Sequence, residues 1–264
     1  LAAAYLMKAA RHGDAVLAEW THPVKVSFFA TISIGLVLTG TAILELSVGL
    51  GEWLWALGAL VHLVLTVSIM SNWLHHTRYD ITHVNPAWFI PVVGNILVPI
   101  AGGRLGFPEV SWFFFSIGIV FWIVLFTIVM HRLFFFAPLP ARLTPTLFIL
   151  IAPPAAGFVS YYSLTGSIDG FSRVLYYTAL FLALLLASNA VRFFRTPFFL
   201  SAWAYSFPIA ALTIATTIMA QRTRSWAFEW GAKVLLVLLT ALVIWLGVRT
   251  VIATARGEVC REEG

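Results

Sequence analysis

The chain has 264 residues, 61% hydrophobic and only 10% charged. Ordinary soluble domains carry about 25% charged residues, so a water-soluble globule is excluded. Sixteen basic against 11 acidic residues give a formal charge of +5, but the basic residues lie scattered between apolar runs and make no nucleic-acid patch. One cysteine, Cys260, excludes an intrachain disulfide and a thiolate metal cluster.

The first element in chain order is a stub. Leu1 to Met7 is apolar and has no basic leader, so it reads as the end of a helix rather than a signal peptide. The expectation is an N-terminally truncated piece with the first hairpin mostly missing. Lys8 and Arg11 then mark a membrane exit, and the polar stretch Gly13 to His22 is expected to be a connection.

Eight apolar runs follow, at 24–48, 53–75, 86–103, 109–136, 144–165, 171–193, 197–220 and 227–252. Each is long enough to cross a hydrocarbon core of roughly 30 Å as a helix. None alternates polar with apolar positions, so barrel strands are not expected. The fold class read here is an all-α integral membrane protein: one transmembrane domain over 1–264, with eight full helices plus the stub.

Basic residues sorted by alternate loops divide 11 to 5, the smaller set being Arg104, Arg173, Arg222, Arg224 and Lys233. The positive-inside bias places the larger set and the C-terminus in the cytoplasm, as expected for a multi-pass protein of the cell (inner) membrane. Trp20, Trp53, Trp55, Trp112, Trp226 and Trp230 fall near predicted ends and read as interfacial anchors.

The prolines carry a repeat. Pro23, Pro86, Pro145 and Pro197 open alternate spans at intervals of 63, 59 and 52 residues, the length of one helical hairpin. The interior prolines Pro91, Pro99, Pro153, Pro154 and Pro208 lie in those same spans, and their four partners have none. A mid-helix proline frees a carbonyl that must find a protein or water partner in lipid. The proline-opened helices are therefore expected inside and shielded, and their regular partners outside.

Gly35, Gly94, Ala101, Gly102, Ala155, Ala156, Gly157, Ala210 and Ala211 also belong to the inner set, where small residues suit a helix bundle as well as a pore. So do Ser27, Thr31, Asn95, Ser206, Thr213 and Thr217, whose hydroxyls can equally bond back to their own helix.

Glu19-Trp20-Thr21-His22-Pro23-Val24-Lys25 with Phe28-Phe29, the segment Asn85 to Asn95, and Trp203-Ala204-Tyr205-Ser206-Phe207-Pro208 resemble the TehA and plant slow anion channel family, also called the tellurite-resistance/dicarboxylate transporter family. The resemblance implies ten helices in five hairpins, arranged as a quasi-fivefold ring around a central pore, in a homotrimer. It implies a gated anion channel passing small anions, with Phe207 as the pore gate. Pore-lining or kink positions are then Pro91, Gly94, Asn95, Pro99, Pro153, Pro154, Pro208, Ala211 and Thr213. The alternative within the fold is a proton-coupled or exchange carrier for a C4-dicarboxylate such as malate, or for sulfite.

Anion preference itself rests on the resemblance. The inner spans lack mid-span Asp or Glu, Glu45 lying toward one end, but they also lack a mid-span Arg or Lys. Of the histidines, His62 alone is near mid-membrane, on a proline-free helix expected outside, while His75, His76 and His83 cluster at a boundary beside Arg78 and Asp80. An interhelical hydrogen bond is the leading reading for His62, and a solvated loop pair for Arg78 and Asp80. Neither metal nor cofactor is expected, and no hydrolase, zincin or phosphate-loop motif suggests an enzyme. The expected partners are small inorganic or organic anions and the lipid bilayer.

Overall fold

The computed structural model describes residues 2–75 and 79–257. It is helical throughout, and its elements fall into two compact units. One is built from the chain up to Ala137 with Ser163–Gly166, the other from Pro138–Tyr162 with the chain from Ser167 onward.

The first unit begins with α1 (Ala2–Arg11) and α2 (Gly13–Thr21). The expected connection at 13–22 is thus a helix. Asp14 favours its first turn, and Glu19 ties it to α1 by accepting from Lys8 Nζ at 2.7 Å and Tyr5 Oη at 3.0 Å. A 3-10 stretch, Lys25–Phe29, leads into α3 (Ala30–Ile43), and α4 (Val48–His75) returns antiparallel to it. The run expected at 24–48 ends at Ile43, so α4 starts five residues earlier than its predicted partner. Backbones of the pair touch at Gly40, where a Cβ would lie 2.5 Å from Trp55 N and 2.8 Å from Gly51 O. That close approach shows packing as one use of the small residues.

The segment Pro86–Gly102 is broken: a 3-10 turn at Pro86–Trp88, α5 (Phe89–Val93), a second 3-10 turn at Gly94–Leu97, then α6 (Pro99–Gly102). It is nonetheless the best enclosed part of the unit, with 14 of its 17 residues buried. The regular helix α7 (Pro108–Phe135) closes the unit.

In the second unit, an 11-residue 3-10 stretch, Ala141–Ile151, runs into α8 (Ala152–Thr165), and α9 (Gly170–Ala187) is its regular partner. The span expected to continue to 193 stops at Ala187, because Ser188 and Asn189 turn their side chains back onto Leu185 O. A short helix, α10 (Ala190–Arg195), follows. The 3-10 stretch Leu200–Tyr205 leads into α11 (Ser206–Thr223), and α12 (Trp226–Ala255) completes the fold.

Among the described residues seven segments are long and apolar enough to cross a membrane, and Pro86–Gly102 is a shorter apolar one. Every proline-opened segment contains 3-10 backbone, whereas α4, α7, α9 and α12 are continuous α-helix. The expected burial follows in three of the four broken segments: within the most apolar 18 residues, Ala141–Thr165 is 72% buried, against 6% for α12. It fails for Lys25–Ile43, which at 33% is no better covered than α4.

Candidate functional site

The breaks are the positions the sequence singled out, and each unit stabilises them differently. In the first unit Asn85 caps the entry, its Oδ1 accepting from Ala87 N at 2.9 Å, with Pro86 at the first helical position where no N–H is needed. The change from α to 3-10 at Gly94 disturbs the carbonyl ladder, and side chains reach the exposed oxygens. Thr66 Oγ1 lies 2.6 Å from Pro91 O, Asn95 Nδ2 donates to Val92 O at 2.7 Å, and Trp55 Nε1 donates to Val98 O at 2.9 Å. Asn95 Nδ2 also donates to Thr66 Oγ1 at 2.9 Å, joining the break to α4.

Gly94 sits under the His62 ring: a Cβ there would lie 2.7 Å from both Cε1 and Nε2. His62 Nδ1 is 2.9 Å from Ser33 Oγ, which in turn lies 2.9 Å from Ala30 O. This is the interhelical hydrogen bond read from the sequence, but His62 is 1% exposed. The ring of this supposedly outer helix therefore points into the unit. His62 Nε2 and Asn95 Oδ1 are buried polar atoms without a hydrogen-bond partner among the described residues. Pro91, Asn95 and Pro99 are buried and Gly94 is half-buried.

Trp55 is not the interfacial anchor expected. It is 3% exposed, stacked 5.6 Å from the Phe107 ring, and committed to Val98 O. Trp53, Trp226 and Trp230, at 78%, 74% and 60%, keep the exposure of anchors.

In the second unit the interior prolines mark helix starts. Pro153 and Pro154 are the second and third residues of α8, and Pro208 is the third of α11. Their missing N–H groups fall where a helix has unpaired donors in any case. Hydroxyls of the broken segments return to nearby carbonyls: Thr146 to Leu143 O at 2.6 Å, Ser206 to Trp203 O at 2.7 Å, and Ser201 to Arg142 O at 2.5 Å. Thr213 is buried and donates to Ile209 O at 2.7 Å, and Thr217 donates to Thr213 O at 2.8 Å. Back-bonding therefore accounts for Thr146, Ser206, Thr213 and Thr217, while Ser201 bridges to the other broken segment. Ala211 and the three prolines are buried as well.

Phe207 occupies the second position of α11 and is half-buried. Its neighbour Tyr205 is pinned between Phe148 and Phe193, at ring separations of 4.6 and 6.1 Å. Phe207, among the described residues, joins no such pair.

In the long apolar helices the carboxylates Glu52, Glu109 and Glu229 keep to the first five residues, and Glu45, Asp80 and Asp169 lie in connections. Glu45 pairs with Arg104 at 2.8 Å, both exposed. Asp80 is held below the usual carboxylate range chiefly by the Thr82 amide, and Asp169 by the Ser172 amide and then the Tyr161 hydroxyl. His76, Arg78 and Cys260 lie outside the described residues. No three His, Cys, Asp or Glu side chains converge among the described residues, so none offers a metal centre. Sequence reasoning missed Arg132, 4% exposed in the last turn of α7, whose Nη1 donates to Ala137 O at 2.6 Å. Its position beside three phenylalanines gave no signal of burial.

The family model described as voltage-dependent anion channel matches residues 1–251. The S-type anion channel SLAH3 of Arabidopsis thaliana is 32% identical over 255 residues, covering 96% of this chain and 40% of that relative. The guard cell S-type anion channel SLAC1 of the same plant is 27% identical over 253 residues, covering 94% and 46% respectively. The tellurite resistance protein TehA homolog of Haemophilus influenzae is 24% identical over 218 residues, covering 81% of this chain and 65% of that relative. The chain thus spans less than half the length of the two plant relatives.

Proposed function

The chain belongs to the voltage-dependent anion channel family, and on that premise we propose that it is the transmembrane domain of a gated channel for small anions. In each unit the broken, proline-opened helices supply the wall of the path, the continuous helices face lipid, and Phe207 is the gate. The protein works as a homotrimer in the cell membrane with its C-terminus in the cytoplasm.

The observation that carries this reading is the pairing of every broken segment with an unbroken one. Breaks in a membrane helix are tolerated only where protein or water meets the freed backbone. At Pro91, Val92 and Val98 the carbonyls are already occupied by Thr66, Asn95 and Trp55, which removes oxygens that would favour cations. A phenylalanine free of ring partners in the first turn of α11 suits a hydrophobic gate, because a ring across a narrow apolar bore excludes water until it rotates.

The carrier alternative has less support. Coupling to protons needs a titratable group open to the path, and His62 is enclosed and bonded to Ser33.

The test is planar-bilayer recording of the full-length protein in chloride and nitrate. Phe207→Ala should raise conductance well above wild type. Unchanged anion conductance removes the gate assignment, absence of anion current in both removes the channel, and saturable flux driven by an imposed pH gradient selects the carrier.

A further inference from the structure

A groove of about 450 Å³ runs along the outer face of α9, lined by Arg173, Val174, Tyr177, Thr178 and Phe181. The spacing places all five on one side of a single helix. Val174, Tyr177 and Phe181 are 61%, 46% and 63% exposed, on a helix that crosses the membrane.

Arg173 is the anomaly. It is the fourth residue of α9, in the turn where the helix dipole disfavours a cation. Asp169, one turn upstream, does not pair with it: that carboxylate accepts from Ser172 N at 2.9 Å and from the Tyr161 hydroxyl at 2.6 Å. The ion pairs among the described residues are Lys8–Glu19 and Arg104–Glu45. An exposed guanidinium is thus left unpaired at the membrane boundary, directly above an apolar groove. Arg173 to Phe181 spans eight residues, or about 12 Å of helix rise, which runs from headgroup depth into the hydrocarbon.

We propose that this groove is a binding site for an anionic phospholipid, with the phosphate on Arg173 and one acyl chain along Val174, Tyr177 and Phe181. A guanidinium recognises phosphate as a fork of donors and favours it over an uncharged surface. The phosphate also supplies the negative charge that the N-terminus of α9 prefers. Tyr177 and Thr178 also line the groove, about one helical turn from Arg173, and bring hydroxyls to it. A zwitterionic lipid offers the same chain with no net charge, so selectivity between headgroups resides in Arg173.

The experiment compares phosphatidylglycerol with phosphatidylcholine retained by the full-length protein in native mass spectrometry, after purification from mixed vesicles of the two. Wild type should retain phosphatidylglycerol about fivefold better, the preference expected for one basic side chain at an anionic surface. Arg173→Gln should abolish the preference, Arg173→Lys should restore most of it, and Phe181→Ser should lower retention of both lipids. Both positions are exposed, and circular dichroism checks that the three variants stay folded.

Equal retention of the two lipids by wild type, or a preference that survives Arg173→Gln, overturns the proposal. Displacement of the lipid by millimolar inorganic phosphate would instead assign a free-anion site. Covalent dimers formed by Thr178→Cys in the bilayer under oxidation, in a Cys260→Ser background, would make this face a contact between copies and likewise overturn it.

Discussion

In the first unit the donors that close the broken helix come partly from another helix: Thr66 and Trp55 of α4 reach across to Pro91 O and Val98 O, and His62 lies on Gly94. In the second unit Thr146, Ser206 and Thr213 bond within their own segments and Ser201 bridges two broken segments, while the ties to continuous helices join side chains, Trp203 to Thr250 and Thr216 to Tyr176, and leave the backbone of the breaks alone. A break bonded to a neighbouring helix cannot change its angle without losing those bonds. A break whose polar groups are satisfied from the same or a like segment is held in place by packing, and packing can be exchanged more cheaply. The breaks of the first unit, whose backbone oxygens are held by a neighbouring helix, are therefore expected to keep their angle, and those of the second, where Phe207 sits, to shift more readily.

The largest expected effect contrasts two phenylalanines at the heads of inner helices. Phe207→Ala should raise anion conductance by tenfold or more in bilayer recordings, since dewetting barriers depend steeply on the ring. Phe89 is 1% exposed in the first unit, and Phe89→Ala should leave conductance unraised while lowering stability by about 3–5 kcal/mol, read as thermal denaturation in detergent. If both raise conductance equally, the division into fixed and movable units fails.

A second effect sharpens the fixed half. Gly94→Ala places a Cβ against the buried His62 ring and should cost about 1–3 kcal/mol. In Gly94→Ala/His62→Ala the two losses should be less than additive, because the ring that the Cβ meets is gone. Asn95→Leu removes two hydrogen bonds and should cost about 1–3 kcal/mol, whereas Thr213→Val, which removes only a bond within its own helix, should cost under about 1 kcal/mol in the same melts.

These contrasts also show how much of the molecule the sequence disclosed. Hairpin length, the alternation of broken and continuous helices, and the positions of the breaks were all legible, because proline acts locally on its own backbone. The closure of the breaks was not, because the Thr66–Pro91 and Trp55–Val98 contacts join residues 25 and 43 positions apart. Trp55 and Trp53 look alike in sequence, yet one is core and the other lipid-facing, a distinction set by which side of α4 meets the broken segment. Arg132 was illegible for the same reason: its carbonyl partner lies in the turn beyond the helix. The span of α9 was overestimated because apolar residues on both sides of Ser188-Asn189 conceal a stop that depends on side-chain bonds to Leu185 O.

The smallest effect lies outside the membrane, where each unit has a capping aspartate. Asp80 meets only its own turn at Thr82, while Asp169 bonds to Ser172 and also to Tyr161, joining the end of α8 to the start of α9. Both carboxyls titrate below the ordinary aspartate value near 3.9. A group whose folded pKa is depressed contributes stability that is present above the unfolded pKa and lost as pH falls through the folded one. Melting temperature should therefore drop as pH is lowered below about 4. Asp169→Asn keeps an N-cap side chain while removing the charge on the Tyr161 bond, so it should flatten that acid slope more than Asp80→Asn does. Equal flattening by the two variants would mean that the α8–α9 turn is no better tied than the Thr82 turn.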